Sequence, residues 1–166
     1  MKKLLFNLFV GTILLNGSNS FSQTTRYVST TGIDATNDCT LPGNPCASLA
    51  AAYTASVDGD SIKIAAGQYD LTSSLVIEKT VSISALVATA KPVFTTTAND
   101  FFLVNAEGVE FKNLILNMGL TTTSGLRGIV STQNFDLLKL TNNEFVSTNA
   151  AVADITQNFV WGAFAV

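Results

Sequence analysis

Asp58-Gly59-Asp60-Ser61-Ile62-Lys63-Ile64-Ala65-Ala66-Gly67-Gln68-Tyr69 is the stretch whose reading decides the fold. It opens with an acidic, glycine-containing turn. Polar and apolar residues then alternate through Ser61-Ile62-Lys63-Ile64, the period of a strand with one buried face. Gly67 punctuates a second turn, and Tyr69 resumes the apolar pattern. The same spacing returns downstream: two apolar residues two apart, a small residue two later, and an apolar residue three beyond that. Ile62/Ile64/Ala66/Tyr69 is followed by Val81/Ile83/Ala85/Ala88, Val109/Phe111/Asn113/Leu116, Leu138/Leu140/Asn142/Phe145 and Phe159/Trp161/Ala163/Val166.

One strand signal every 20 to 30 residues or so points to a solenoid of about five stacked coils. A single coil cannot bury its apolar face, and the next coil does that for it. Parallel strands need a long return path, and the remainder of each coil supplies one. Asn113 and Asn142 share a position at the end of their strands. Asparagine tolerates left-handed backbone angles there, and stacked amides would hydrogen-bond from coil to coil. The plainer alternative is a pair of ordinary loop asparagines. Further strands fall at residues 75–77, 93–94, 101–104 and 128–130, with variable loops at 88–91, 95–100 and 118–127. A β-sandwich also has many short strands, but it does not so readily explain the recurring spacing.

Upstream, Arg26-Tyr27-Val28-Ser29-Thr30 alternates like a short strand. Residues 31–44 carry turn chemistry in Gly32, Asp34, Asn37, Asp38, Pro42 and Gly43. Asn44 reads as an N-cap with Pro45 at the first helical position. A helix over 46–56 follows, with Leu49, Ala52, Tyr53 and Val57 on one side and Asp58-Gly59 as its stop. Cys39 and Cys46 flank a Pro42-Gly43 turn that brings the sulfurs together, so a disulfide is expected. Two free thiols or half of a metal site are the alternatives, although no other soft ligand exists to complete such a site. So short a loop contributes about 2 kcal/mol on the chain-entropy account, and its role is to pin a local cap.

The N-terminus reads as a targeting segment, with a membrane anchor as the alternative. Lys2 and Lys3 precede an apolar stretch over 4–15 that is short for a bilayer, and Ser20-Phe21-Ser22 offers small residues before a cut ahead of Gln23. The expected organisation is a signal peptide over 1–22, a cap over 23–57, and coils over 58–166. Export to the periplasm, the cell surface or the medium makes a disulfide permissible.

The 166 residues carry 9 Lys+Arg, 12 Asp+Glu and no histidine, for a net charge of −3. Charged residues are only 13%, so hydroxyls and amides supply most of the polarity. The acidic balance argues against nucleic acid and anionic membrane as partners. The missing histidine removes Ser-His and Cys-His catalysis and any His-ligated metal.

From Cys39 and Cys46 through Gly59, Asp60, Ile62, Ile64, Gly67 and Tyr69, the chain resembles the N-terminal end of secreted bacterial right-handed parallel β-helix proteins, the pectin-lyase-like superfamily. A strand like Tyr27-Val28-Ser29, a turn-rich segment, a capping helix and a "GD-x-I-x-V-x-x-G-x-Y" phrase open such proteins. The resemblance covers residue 26 to the end and departs at Ala85, where members often have glycine. It implies an all-β, right-handed parallel β-helix with a short N-terminal capping helix. It also implies more coils than this chain holds, so truncation at Val166, or a partner chain covering the last coil, is expected. Gly59, Asp60, Gly67, Asn113 and Asn142 are then structural turn and ladder residues.

Lyases of this superfamily use acidic calcium ligands with an Arg or Lys base, and its hydrolases use clustered aspartates. Here Asp100, Glu107, Glu110, Asp136, Glu144 and Asp154 are dispersed. Glu110 and Lys139 stand on paired strands and could face outward together; a solvated pair worth under about 1 kcal/mol is the bland account. Arg127, between Gly125 and Gly128, reads as a groove or a loop arginine. No cofactor is expected, and calcium enters only through the resemblance. The reading is a secreted or cell-surface module without an identifiable active site that binds polysaccharide, cell-surface glycans or a partner surface. The alternative is the N-terminal part of a polysaccharide lyase or glycoside hydrolase.

Overall fold

The computed structural model describes residues 22–96, 100–117, 127–131 and 138–146. The expected leader over 1–22 (all but Ser22), Asp136, Asp154 and the Phe159–Val166 repeat lie outside these. The described chain is predominantly β, with parallel sheets and one short helix. In order it runs β1 (Thr25–Val28), α1 (Leu49–Ala55), β2 (Ser61–Ile64), β3 (Gln68–Leu71), β4 (Leu75–Ile77), β5 (Ser82–Ala85), β6 (Val93–Thr96), β7 (Asp100–Val104), β8 (Glu110–Lys112), β9 (Ile115–Asn117), β10 (Arg127–Ser131), β11 (Lys139–Thr141) and β12 (Glu144–Val146). They form a five-stranded sheet β1-β2-β5-β8-β11, a four-stranded sheet β12-β9-β6-β3 and a three-stranded sheet β10-β7-β4. From β2 onward the chain visits the three sheets in turn, and every strand pair is parallel.

Register follows the inward residues. In the five-stranded sheet Arg26, Ile62, Ile83, Phe111 and Leu140 are successive partners. In the four-stranded sheet the inward row is Tyr69, Phe94, Leu116 and Phe145. This corrects the spacing read from sequence in two places. That spacing aligns Ile64 with Ile83, but Ile62 is the partner of Ile83, and Ile64 faces Ala85. It also places Ala88 opposite Tyr69, where Phe94 stands. The cause is the segment after β5, which turns at Val87–Ala90 and delays the next apolar residue.

The core lies between the sheets, and phenylalanine joins them. Phe102 of β7 stands 5.9 Å from Phe94 of β6, edge-on, and 4.9 Å from Phe111 of β8. Tyr69 extends the chain of rings at 5.5 Å from Phe94. Phe94, Phe102 and Phe111 are each fully buried, worth about 1.5–3 kcal/mol apiece in transfer alone.

The capping segment differs from its sequence reading at the helix. The helix starts at Leu49, not residue 46, and its N-cap is Ser48, whose Oγ accepts from Ala51 N at 3.1 Å. Cys46 cannot be helical because its backbone is committed to β1: its N–H donates to Tyr27 O at 2.9 Å, and its carbonyl accepts from Ser29 N at 2.9 Å. Asn44 instead closes the Pro42-Gly43 turn, donating its N–H to Leu41 O at 3.0 Å. The helix ends at Ala55, and Val57, read as part of its apolar side, is 54% exposed beyond it. Leu49, Ala52 and Tyr53 form the buried side. Cys39 and Cys46 are bonded, with Cα atoms 5.1 Å apart and both residues buried.

Asp58 and Gly59 hold the turn before β2 against the turn before β5. Gly59, at φ 89°, donates its N–H to Thr80 O at 2.7 Å, and Asp58 Oδ1 accepts from Thr80 N at 2.9 Å. Thr80 Oγ1 in turn donates to Glu107 O at 2.9 Å. Asn113 and Asn142 adopt φ 58° and 53°, and Asn142 Nδ2 donates to Asn113 Oδ1 at 2.7 Å. Left-handed backbone is tolerable there because the side chain is short and polar.

Candidate functional site

The chain is acidic, so the placement of its cations is informative. Several are consumed by the scaffold. Arg26 Nε donates to the buried Asp60 at 2.9 Å, and Arg26 Nη1 donates to Asp38 O at 2.6 Å. Lys79 Nζ donates to the carbonyls of Tyr53, Thr54 and Ser56 at 2.9, 3.2 and 2.8 Å, closing the end of the helix. That ammonium also sits 4.8 Å from the Tyr53 ring centre. Lys91 Nζ contacts Glu144 Oε1 at 2.6 Å.

The remaining lysines with described side chains, Lys63, Lys112 and Lys139, all lie on the five-stranded sheet. They alternate with its inward residues and therefore stand on its outer face. One outward row is Tyr27, Lys63, Ser84, Lys112 and Thr141; the other is Thr25, Ser61, Ser82, Glu110 and Lys139. Parallel pairing sets neighbouring members of each row about 4.8 Å apart in the hydrogen-bonding direction. Lys112, Lys139 and Thr141 are exposed, and Tyr27, Lys63, Ser82 and Glu110 are half-buried. Lys63 Nζ donates to Ser84 Oγ at 2.9 Å, and Ser82 Oγ to Glu110 Oε2 at 3.1 Å. The face combines an aromatic side, hydroxyls and three ammonium groups against one carboxylate. Such a set can stack on an apolar ring face and hold anions or hydroxyls of an extended ligand.

Among the described residues, the acids singled out in the sequence do not come together. Glu110 and Lys139 are register partners, but the recorded bond of Glu110 is to Ser82. Asp100 is buried in β7. Glu107 lies in the turn touched by Thr80, and Glu144 is paired with Lys91. Asp60 is structural: its carboxylate accepts from Thr24 N at 3.0 Å, Val57 N at 3.0 Å and Arg26 Nε. Arg127 pairs through its backbone with Asp100. Among the described residues no group of three or more Cys, Asp or Glu side chains is arranged to hold a metal ion. The calcium implied by the resemblance therefore finds no fitting donor set there.

Sequence reasoning missed Tyr27, Lys63 and Lys112 as members of one face. The signal was present in the alternation, since each sits next to an inward residue. It went unread because only the inward residues were followed from strand to strand, and β1 stood outside the recurring spacing. Asp34 and Asn37 were also read only as turn residues. Asp34 Oδ1 accepts from Ala47 N at 2.7 Å and Ser48 N at 3.0 Å, and Asn37 Nδ2 donates to Ile33, Asn44 and Pro45 carbonyls at 2.8–3.0 Å. Comparison with protein-family models, with curated proteins and with solved structures finds no match for the chain.

Proposed function

We propose that the protein is an exported right-handed parallel β-helix module of the pectin-lyase-like kind that binds an acidic polysaccharide or cell-surface glycan along the outer face of its five-stranded sheet. The cyclic visiting of three parallel sheets supports the architecture, and a disulfide suits an oxidising compartment. One observation carries the binding reading: in an acidic chain, the lysines among the described residues that the scaffold does not consume converge on one sheet face beside Tyr27. Cations on a flat, hydroxyl-lined surface attract a polyanion in a salt-dependent way.

Affinity electrophoresis in gels containing polygalacturonate or a sulfated glycan tests this reading. The protein is expected to be retarded at low salt and released as salt rises. Lys63→Gln/Lys112→Gln/Lys139→Gln is expected to run unretarded. Equal retardation of that variant, or none of the parent, overturns the reading.

A second reading, the N-terminal part of a polysaccharide lyase or glycoside hydrolase, is favoured only by the adjacency of Glu110 and Lys139 in register. Release of unsaturated or reducing ends from acidic polysaccharides, lost in Lys139→Gln, would select it.

A further inference from the structure

A cleft of about 420 Å3 opens on another side of the molecule, between the capping segment and the chain that runs from β3 through the turn at 72–74 into β4. It lies within the range typical of small-molecule sites. Its apolar surface comes from Leu49 and Tyr69, both buried, and from Leu71 and Leu75, both half-buried. Its polar surface comes from Gln68, Asp70 and the hydroxyls of the turn at 72–74. No Lys or Arg lines it.

Two features make this a formed site. Asp70 Oδ1 accepts from Gln68 Nε2 at 3.3 Å and from Thr95 Oγ1, so the carboxylate is held by its neighbours. Thr30, which also lines the cleft, packs so closely on the residue before β3 that a Cβ on Gly67 would lie 2.7 Å from Thr30 Cγ2. A ligand here meets an apolar patch, a carboxylate acceptor and several hydroxyls, with nothing to neutralise a negative charge. Vicinal hydroxyls of a pyranose suit a carboxylate acceptor, and its C–H face suits the half-buried Leu71 and Leu75. An anion is repelled by Asp70.

We propose that this cleft binds a neutral sugar residue, independently of the lysine-bearing sheet face. The same Asp70 that excludes uronates gives the site its selectivity, so the two surfaces take ligands of opposite charge preference.

The test is a 1H–15N titration of the protein with glucose, galactose, mannose and N-acetylglucosamine, with galacturonate as the charged control. At least one neutral sugar is expected to give saturable shifts confined to Thr30 and residues 47–50 and 68–75, with a dissociation constant on the order of 1 mM. Galacturonate is expected to give none. Asp70→Asn is expected to weaken binding at least about tenfold, as loss of a charged acceptor does. Ser73→Trp, at an exposed turn position, is expected to block the cleft while leaving distant resonances in place. The proposal is overturned by an absence of saturable shifts up to about ten times that constant. Equal binding of galacturonate, or shifts that survive both variants, would overturn it too.

Discussion

Arg26 Nε donates to Asp60 Oδ2 at 2.9 Å, with side-chain exposures of 10% and 0%. The pair joins β1 to the turn that precedes β2, and the carboxylate also holds the backbone N–H groups of Thr24 and Val57. A buried ion is costly once its partner is removed. Asp60→Ala should therefore lower stability by about 3–5 kcal/mol, read from the urea midpoint. Arg26→Met/Asp60→Leu should lose clearly less than the single variant. A double variant as unstable as Asp60→Ala would show that burial of the charge is not the determining term.

Asn142 and Asn113 are coupled both by backbone and by side chain. Asn113→Gly keeps the left-handed backbone but loses the acceptor for Asn142 Nδ2. Asn113→Ala loses both. The expected order of stability is wild type, then Gly, then Ala, with Ala about 1–2 kcal/mol below wild type. Thermal melting of the three proteins checks the order.

Gly32 and Gly43 lie in the same capping segment and should respond oppositely. A Cβ on Gly32 would fall 2.3 Å from Cys46 O, while nothing lies within 4 Å of one on Gly43. Gly32→Ala is expected to cost more than about 2 kcal/mol, because backbone atoms cannot yield as a flexible side chain can. Gly43→Ala is expected to stay within about 0.5 kcal/mol of wild type. Chemical denaturation of the pair separates close packing from turn flexibility.

Asp70 is held below the ordinary aspartate range, first by the hydroxyl of Thr95 and then by Gln68. A depressed folded-state value means stability present above the unfolded-state value and lost as pH falls through the folded one. Thr95→Val should move the Asp70 titration upward, as read by 13C carboxyl shifts, and should shrink the acid-side loss. Tyr69 runs the other way. Burial raises its phenol above the ordinary tyrosine value. Its contribution is present below the unfolded-state value and is lost as pH rises through the folded one. Phenolate absorbance should therefore show Tyr69 ionising later than an exposed tyrosine.

How far the fold was legible depended on which residues spoke locally. The strand segments around Ile62, Ile83, Phe111 and Leu140 announced themselves by alternation, since burying one face forces a period of two. Register did not, because a two-residue slip preserves that alternation; only contact with the next strand separates Ile62 from Ile64 as the partner of Ile83. Phe94 was hidden behind Ala88 because the turn at Val87–Ala90 delays the next inward residue, and its length is not set by local alternation. The helix start was misplaced because Asn44 and Pro45 carry a strong local signal, while the competing bonds of Cys46 to β1 are made to residues distant in sequence. The lysine-bearing face was half legible: Glu110 and Lys139 were visible as neighbours, but Tyr27, Lys63 and Lys112 joined them only once the outward rows were followed across all five strands.

The bridged loop of Cys39 and Cys46 does more than shorten the unfolded chain. Tyr27 N–H is taken by Cys39 O at 2.7 Å, Tyr27 O by Cys46 N, and Ser29 N by Cys46 O. These bonds occupy the side of β1 that faces away from β2. An approaching strand would have to displace all three and move a covalent staple before it could pair there. That margin of the five-stranded sheet is therefore sealed against edge-to-edge association, the hazard carried by any bare parallel strand.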